Sequence, residues 1–251
     1  MEKFLGNSTT AKSFNPIELI IFDLDGTLID SAPDIVTTTN ELMRRRGRKP
    51  LEAPVITTAI GEGLMPLIYN CFPEAHGDRV QLEAIAQEFG TVYEENMLTS
   101  TVVYDGIIEL LESLTAEDSK NRAQIAIVTN KRIAWTRTTL AALKLDRFPW
   151  VRVFGVDSLA ERKPHAMPLL EAMKAANVKP ENTVMIGDGL PDMGAAVNAG
   201  VHAIACGYGY CSVEKLKAAG ASVVAETPYG LPLALDSVRD LAPKPARRVK
   251  T

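Results

Sequence analysis

Cysteine, net charge and long apolar runs are all in short supply in this chain, and each shortage excludes a class of protein. Three Cys in 251 residues, Cys71, Cys206 and Cys211, cannot build a disulfide framework and fit a reducing compartment. Cys206 and Cys211 have no second Cys pair, which leaves too few ligands for a zinc site. A net charge of −4 gives no electrostatic reason to bind nucleic acid or an anionic bilayer. No uninterrupted apolar stretch approaches the length of a membrane span. The first fifteen residues are polar, rich in Ser and Thr, and lack the hydrophobic core of a secretion signal, so residues 1–16 are expected to form a loose tail. The composition, 46% hydrophobic and 23% charged, is that of an ordinary globular protein, and the expected location is the cytoplasm.

What is present begins at residues 20–31, IIFDLDGTLIDS. Residues 17–22 read as a buried strand that stops abruptly at Asp23. In extended backbone, residues two apart face the same side, so Asp23 and Asp25 can address one reaction volume. Gly26 then permits a tight turn. An Asp-Gly turn closing a strand would account for this string alone. Two adjacent carboxylates nevertheless repel each other unless a cation or a shared proton compensates.

After this strand the periodicity becomes helical. Helices are expected at 33–46, with Ser31 as N-cap and Gly47 just past the end, and at 61–71 and 80–97. No convincing buried strand appears between Asp34 and Ser100, so residues 34–100 read as an all-helical insertion. Strands and helices then alternate: helix 107–114, strand 123–128, helix 133–143, strand 151–156, helix 165–176, strand 183–186, helix 193–199, strand 201–206. Two closing helices are expected near 213–219 and 231–241, with a Pro/Arg/Lys-rich end that frays. Such alternation implies an α/β fold, a doubly wound parallel sheet with right-handed crossovers.

Ligands of open α/β sheets collect at the carboxyl ends of the strands. Three strands here end in polar residues: Asp23 and Asp25; Thr129, Asn130 and Lys131; and Asp188 with Asp192. Arg162-Lys163-Pro164 opens a helix. Acids, a hydroxyl and a lysine at one rim suit a phosphate and Mg²⁺, a hard cation that prefers carboxylate, phosphate and water oxygens. Asp23 and Asp188 are the natural side-chain ligands. Lys163 and the cation can neutralise charge on the transferring oxygens, and Thr129 can donate to the same group.

Taken in order, Asp23/Asp25, Thr129, Lys163 and Asp188/Asp192 resemble the four motifs of the haloacid dehalogenase-like (HAD) phosphatases, from residue 17 to about residue 229. The resemblance implies a Rossmannoid core at 17–33 and 101–251 and a small helical cap at 34–100. It implies that Asp23 is the nucleophile and Asp25 the general acid/base, with Thr129 and Lys163 completing the catalytic set. Metal ligation would fall to Asp23, Asp25 (through its main-chain carbonyl), Asp188 and Asp192. Substrate binding would fall to Thr129, Asn130, Lys163 and the cap turn Gly61, Glu62 and Gly63, whose bare amides suit an anion. The chain departs from the pattern at Gly189, where relatives often carry Ser; a lost hydroxyl and a more mobile loop are expected there.

Asp30-Ser31, the cap and the loop Gly207-Tyr208-Gly209-Tyr210 look most like the phosphoglycolate phosphatase branch. The expected activity is Mg²⁺-dependent hydrolysis of a small phosphomonoester, phosphoglycolate first, through an aspartyl-phosphate. A sugar-phosphate or nucleotide phosphatase and a phosphoglucomutase-like transferase remain open within the fold, as does a non-catalytic binding protein that retains it. The expected partner is a small phosphoester, without nucleic acid or membrane, and the chain is expected to be a monomer or homodimer. The basic run 44–49 reads as a solvated helix end. His165 is expected to cap or pack, His76 and His202 show no partner in the sequence, and Trp135 and Trp150 read as packing residues.

Overall fold

The computed structural model describes residues 16–242, so the expected N-terminal tail, Pro16 apart, and the expected fraying of the C-terminal end lie outside the described residues. In chain order the first half holds β1 (Leu19–Phe22), β2 (Ile29–Asp30), α1 (Ala32–Arg45), α2 (Ala53–Thr57), α3 (Leu64–Cys71), α4 (Arg79–Asn96) and β3 (Val102–Val103). Next come α5 (Ile107–Thr115), β4 (Gln124–Val128), α6 (Ile133–Ala142), β5 (Trp150–Phe154) and α7 (Met167–Ala176). The chain closes with β6 (Thr183–Gly187), α8 (Leu190–Ala199), β7 (His202–Cys206), α9 (Val213–Ala218), β8 (Val223–Ala225) and α10 (Leu231–Arg239).

Six strands form one parallel sheet in the order β5-β4-β1-β6-β7-β8. The central strand β1 is buried along its whole length, as a parallel strand covered on both faces must be. Its alternation divides the core in two. Ile20 and Phe22 face α5 and α10, whereas Leu19 and Ile21 face α7, α8 and α9. Helix α5 shows why it packs there: Ile107, Leu110, Leu111 and Leu114 recur at helical spacing and are all buried, so one stripe meets the sheet. This is the doubly wound α/β architecture expected from the alternating pattern.

Helices α1, α3 and α4 and the short α2 surround a third apolar cluster built from Leu42, Ile56, Ile68, Phe72 and Phe89, which Trp135 of α6 also joins. Where the chain leaves and re-enters the sheet region, β2 and β3 pair antiparallel, Ile29 with Val103 and Asp30 with Val102. Just beyond this pair, Asp34 accepts from the Ser100 amide (2.8 Å), the Thr101 amide (3.0 Å) and the Thr101 hydroxyl (2.6 Å). One buried carboxylate thus ties both ends of the helical segment together. The basic run is solvated as expected, and its arginines pair with Glu41, Glu88, Glu95 and Glu74.

Several boundaries differ from expectation. Helix α2, β8 and the two-residue strands β2 and β3 had no counterpart in the sequence pattern. Helix α3 starts at Leu64 rather than Gly61, because Gly61 and Gly63 hold φ of +98° and +101°, outside helical space. Helix α7 starts at Met167, so Lys163 and Pro164 lie in the loop before it and not on its first turn. Ser31 sits at the N-cap of α1, yet its hydroxyl makes no cap bond; it donates to Asp25 Oδ1 at 2.6 Å.

Candidate active site

Strands β4, β1 and β6 are neighbours, and their carboxyl ends deliver Thr129, Asp23 and Asp188 to one rim. Asp23, Asp188 and Asp192 are buried, and one carboxylate oxygen from each lies within 4.8 Å of the others. Backbone closes tightly around them. A Cβ on Gly26, where φ is +77°, would come within 2.2 Å of Asp188 Oδ2, and one on Gly209 within 2.2 Å of Asp188 Cβ. Only glycine permits that approach.

Three acids in so small a volume are electrostatically costly. Burial first, then the Asp192 charge, push the Asp23 carboxyl up to about 7, against the opposing pull of Lys163. Burial and the charges of Asp23 and Asp192 likewise raise Asp188 well above the ordinary carboxylate range. Lys163 supplies the compensating charge within the protein. Its Nζ lies 3.0 Å from Asp23 Oδ1 and 2.5 Å from Asp192 Oδ1. Although burial opposes its charge, Asp192 and Asp23 hold the ammonium protonated.

The donor set fits a hard divalent cation: Asp23, Asp188 and Asp192 each bring a carboxylate oxygen to the cluster, whereas Asp25 is expected to ligate through its main-chain carbonyl. Asp192 spends both oxygens, Oδ1 on Lys163 and Oδ2 on the Gly189 amide at 2.9 Å. It therefore holds Lys163 while one of its oxygens stays within the acidic cluster. The Gly189 bond also tethers the loop that was expected to loosen for want of a hydroxyl. The Asp25 side chain stands outside the acidic cluster, because Ser31 Oγ (2.6 Å) and Lys131 Nζ (2.9 Å) hold its Oδ1 elsewhere. Asp23 and Asp188 keep ligating capacity. Asp23 Oδ1 accepts from the Leu24 amide and Lys163, and no hydrogen bond among the described residues takes its Oδ2. Asp188 Oδ2 accepts from the Tyr210 amide at 2.8 Å, while its Oδ1 has only a long 3.4 Å contact from Thr27.

The second strand end divides its work. The Thr129 hydroxyl oxygen accepts from the Lys131 amide at 3.2 Å, which leaves its hydrogen to donate toward the rim. Asn130, expected among the substrate-binding groups, spends its amide donors on the Lys163 carbonyl (3.1 Å) and, weakly, on the Gly61 carbonyl (3.4 Å). It acts as a strut between three segments, and its Oδ1 is buried without a partner among the described residues. Lys131, which the sequence placed at this strand end without a role, reaches both Asp25 and the Tyr93 hydroxyl of α4 at 2.7 Å. Its position beside Thr129 was the one available signal. Ser31 gave none.

A cavity of about 210 Å³ opens over this rim, lined at one end by Asp23, Asp25, Thr129, Asn130 and Lys131. Gly61 and Gly63 line it as expected; Glu62 does not. It is exposed. The helical segment contributes Ile35, Ile60, Leu64, Met65, Phe89 and Tyr93, and the core adds Trp135, Arg132 and Arg162. Tyr210 braces the crossing point, where its hydroxyl accepts from the Ser31 and Ala32 amides and donates to Asp30 at 3.0 Å.

The remaining candidates serve structure. His165 Nδ1 accepts from the Met167 amide at 3.1 Å and caps α7. His76 stacks on Tyr69 at 3.8 Å, and His202 lies between Ser222 and the Ala242 carbonyl. Trp150 packs edge-on against Phe22. Trp135 is buried in packing, as expected, although its indole also lines the cavity. No helix among the described residues is long and apolar enough to cross a membrane.

The geometry can be set beside known proteins. The profile of the haloacid dehalogenase-like hydrolase family matches residues 20–206. A phosphoglycolate phosphatase of Pseudomonas fluorescens is 34% identical over 230 residues, covering 90% of this chain and 78% of that protein. One from Xylella fastidiosa is 35% identical over 199 residues, 78% of this chain and 82% of its own length. Among solved structures, a predicted phosphoglycolate phosphatase from Haemophilus somnus superimposes with a TM-score of 0.77 at 26% identity, over 86% of this chain and 97% of that one.

Proposed function

This chain belongs to the haloacid dehalogenase-like hydrolases and is a hydrolase of phosphoric monoesters, and from that premise we propose Mg²⁺-dependent hydrolysis of a small phosphorylated metabolite through an aspartyl-phosphate on Asp23. The observation that carries the reading is the buried pair Asp23 and Asp188 beside the Lys163 ammonium, 3.0 Å from Asp23. Residues 34–100 act as a cap over a core formed by 17–33 and the described residues from 101 to 242.

Asp23 attacks phosphorus in line, with the Oδ2 that no protein group occupies. Asp25 gives a proton to the departing alkoxide, and the ester oxygen leaves as an alcohol. In the second half Asp25 takes a proton from water, which attacks the phosphorus and releases phosphate and free Asp23. Ser31 and Lys131 both bind Asp25 Oδ1, so Oδ2 exchanges the proton. Thr129 and Lys163 contact the transferring oxygens, and Asp192 aims Lys163. Mg²⁺ held by Asp23 and Asp188 supplies the charge that lets a phosphate dianion approach a carboxylate nucleophile.

Phosphoglycolate is the leading substrate. The relatives that carry this name at 34–35% identity support it, as do the bare amides of the Gly61–Gly63 turn at the cavity wall. Phosphate release from phosphoglycolate, glucose 6-phosphate and nucleoside monophosphates, each with Mg²⁺ and with EDTA, tests the reading. Phosphoglycolate is expected to give the highest kcat/KM, with turnover abolished by EDTA. Absence of turnover with every ester would return the chain to a binding role.

A further inference from the structure

Phosphoglycolate engages only the polar end of the cavity, and the rest of its wall has another character. From the cap, the lining offers no free hydrogen-bonding side chain. Its one polar group, the Tyr93 hydroxyl, is taken by Lys131 at 2.7 Å. Sugar hydroxyls would be desolvated there without partners. The wall is not simply the cap's own packed core, because Met65 at its surface remains 37% exposed.

An aromatic row leads away from the acid/base. Asp25 meets Lys131 at 2.9 Å, Lys131 meets Tyr93, and the Tyr93 and Trp135 ring centroids are 5.0 Å apart. Arg132 then stands with its guanidinium 5.0 Å from the Trp135 ring. Arg132 is exposed and forms no ion pair with a carboxylate among the described residues. An apolar compartment that starts at the proton donor and ends at an unpaired guanidinium matches one kind of leaving group.

Resting on the phosphatase reading above, we propose that the site also hydrolyses larger phosphomonoesters whose leaving group is an apolar, aryl-sized body with a carboxylate at its far end. The body lies along Tyr93, Trp135 and Met65, and Arg132 binds the carboxylate, bidentate where geometry allows. The ester P–O bond breaks as Asp23 attacks. The phenolate oxygen leaves with the Asp25 proton, and water then releases phosphate, so no co-reactant is needed.

The test compares kcat/KM for 4-carboxyphenyl phosphate, phenyl phosphate and phosphoglycolate. The carboxylated aryl ester is expected to exceed phenyl phosphate by about tenfold or more. Arg132→Gln should collapse that ratio, which also removes the intrinsic reactivity difference between the two phenols from the comparison. Met65→Gln should lower both aryl esters relative to phosphoglycolate. Equal rates for the two aryl esters, or a ratio that Arg132→Gln leaves unmoved, overturns the inference while phosphoglycolate turnover keeps the phosphatase reading. If no ester is turned over, that reading fails, and calorimetric binding of 4-carboxyphenyl phosphate still decides the inference. Weaker binding to Asp23→Asn/Arg132→Gln than to Asp23→Asn supports it; equal affinity overturns it.

Discussion

Asp192 Oδ1 lies 2.5 Å from Lys163 Nζ, closer than the 3.0 Å between that ammonium and Asp23. The outermost acid of the fourth motif therefore holds the lysine, which also reaches Asp23. Asp188, by contrast, has an oxygen to give a cation.

This division separates two conservative substitutions. Asp192→Asn should lower kcat strongly and destabilise the fold only modestly, because Lys163 keeps Asp23 as an ionic partner at 3.0 Å. It should shift the Mg²⁺ concentration for half-maximal rate only slightly. Asp188→Asn should raise that concentration by orders of magnitude. Titrating both variants with Mg²⁺ checks the assignment; equal shifts in the two would contradict it.

The acidic cluster also sets a pH dependence of stability. Asp23 is raised to about 7, and Asp188 is raised too, so the folded protein binds protons more tightly than the unfolded chain. Stability from these groups is fully present below the unfolded carboxylate range and is lost as pH rises through the folded values. In EDTA, Tm should fall between about pH 4 and pH 7, and Mg²⁺ should restore it most above about pH 7. Removing one of the like charges by Asp188→Asn should raise Tm in EDTA while impairing catalysis. Differential scanning calorimetry in EDTA and in Mg²⁺ measures both effects, and a Tm in EDTA that rises over that range would count against this account of the cluster.

Asp34 is expected to be a purely structural carboxylate. It accepts three hydrogen bonds from Ser100 and Thr101, and its removal leaves buried donors unmet. Asp34→Ala should cost about 2–6 kcal/mol in urea unfolding, at roughly 1–3 kcal/mol for each of the two buried Thr101 donors. An unchanged midpoint would show that the two crossing strands hold without it.

The strand ends were readable in the sequence because each follows an aliphatic run that stops at a polar residue. That pattern, together with the order of the four motifs, located Asp23, Thr129 and Asp188. What stayed hidden depends on contacts distant in the chain. Lys131 meets Tyr93 across 38 residues and Asp25 across 106, and nothing local marks either meeting. The strands β2 and β3 hold two residues each and β8 three, too few for periodicity to register. The sequence starts α3 at Gly61 because glycine reads as a helix opener, whereas Gly61 and Gly63 hold positive φ and lay backbone against the cavity. Ser31 reads as a cap from its position, but its hydroxyl donates to Asp25, six residues back along the chain and outside any capping pattern.

The central claim is that Asp23 carries the phosphoryl group during turnover. Acid quenching of the enzyme at steady state with Mg²⁺ and phosphoglycolate, followed by peptide mass spectrometry, tests it most directly. The account predicts one phosphate on the peptide spanning Asp23, assigned to that residue, and none in Asp23→Asn. A phosphate on Asp25 or elsewhere, or an Asp23→Asn variant that still turns over substrate, would contradict it.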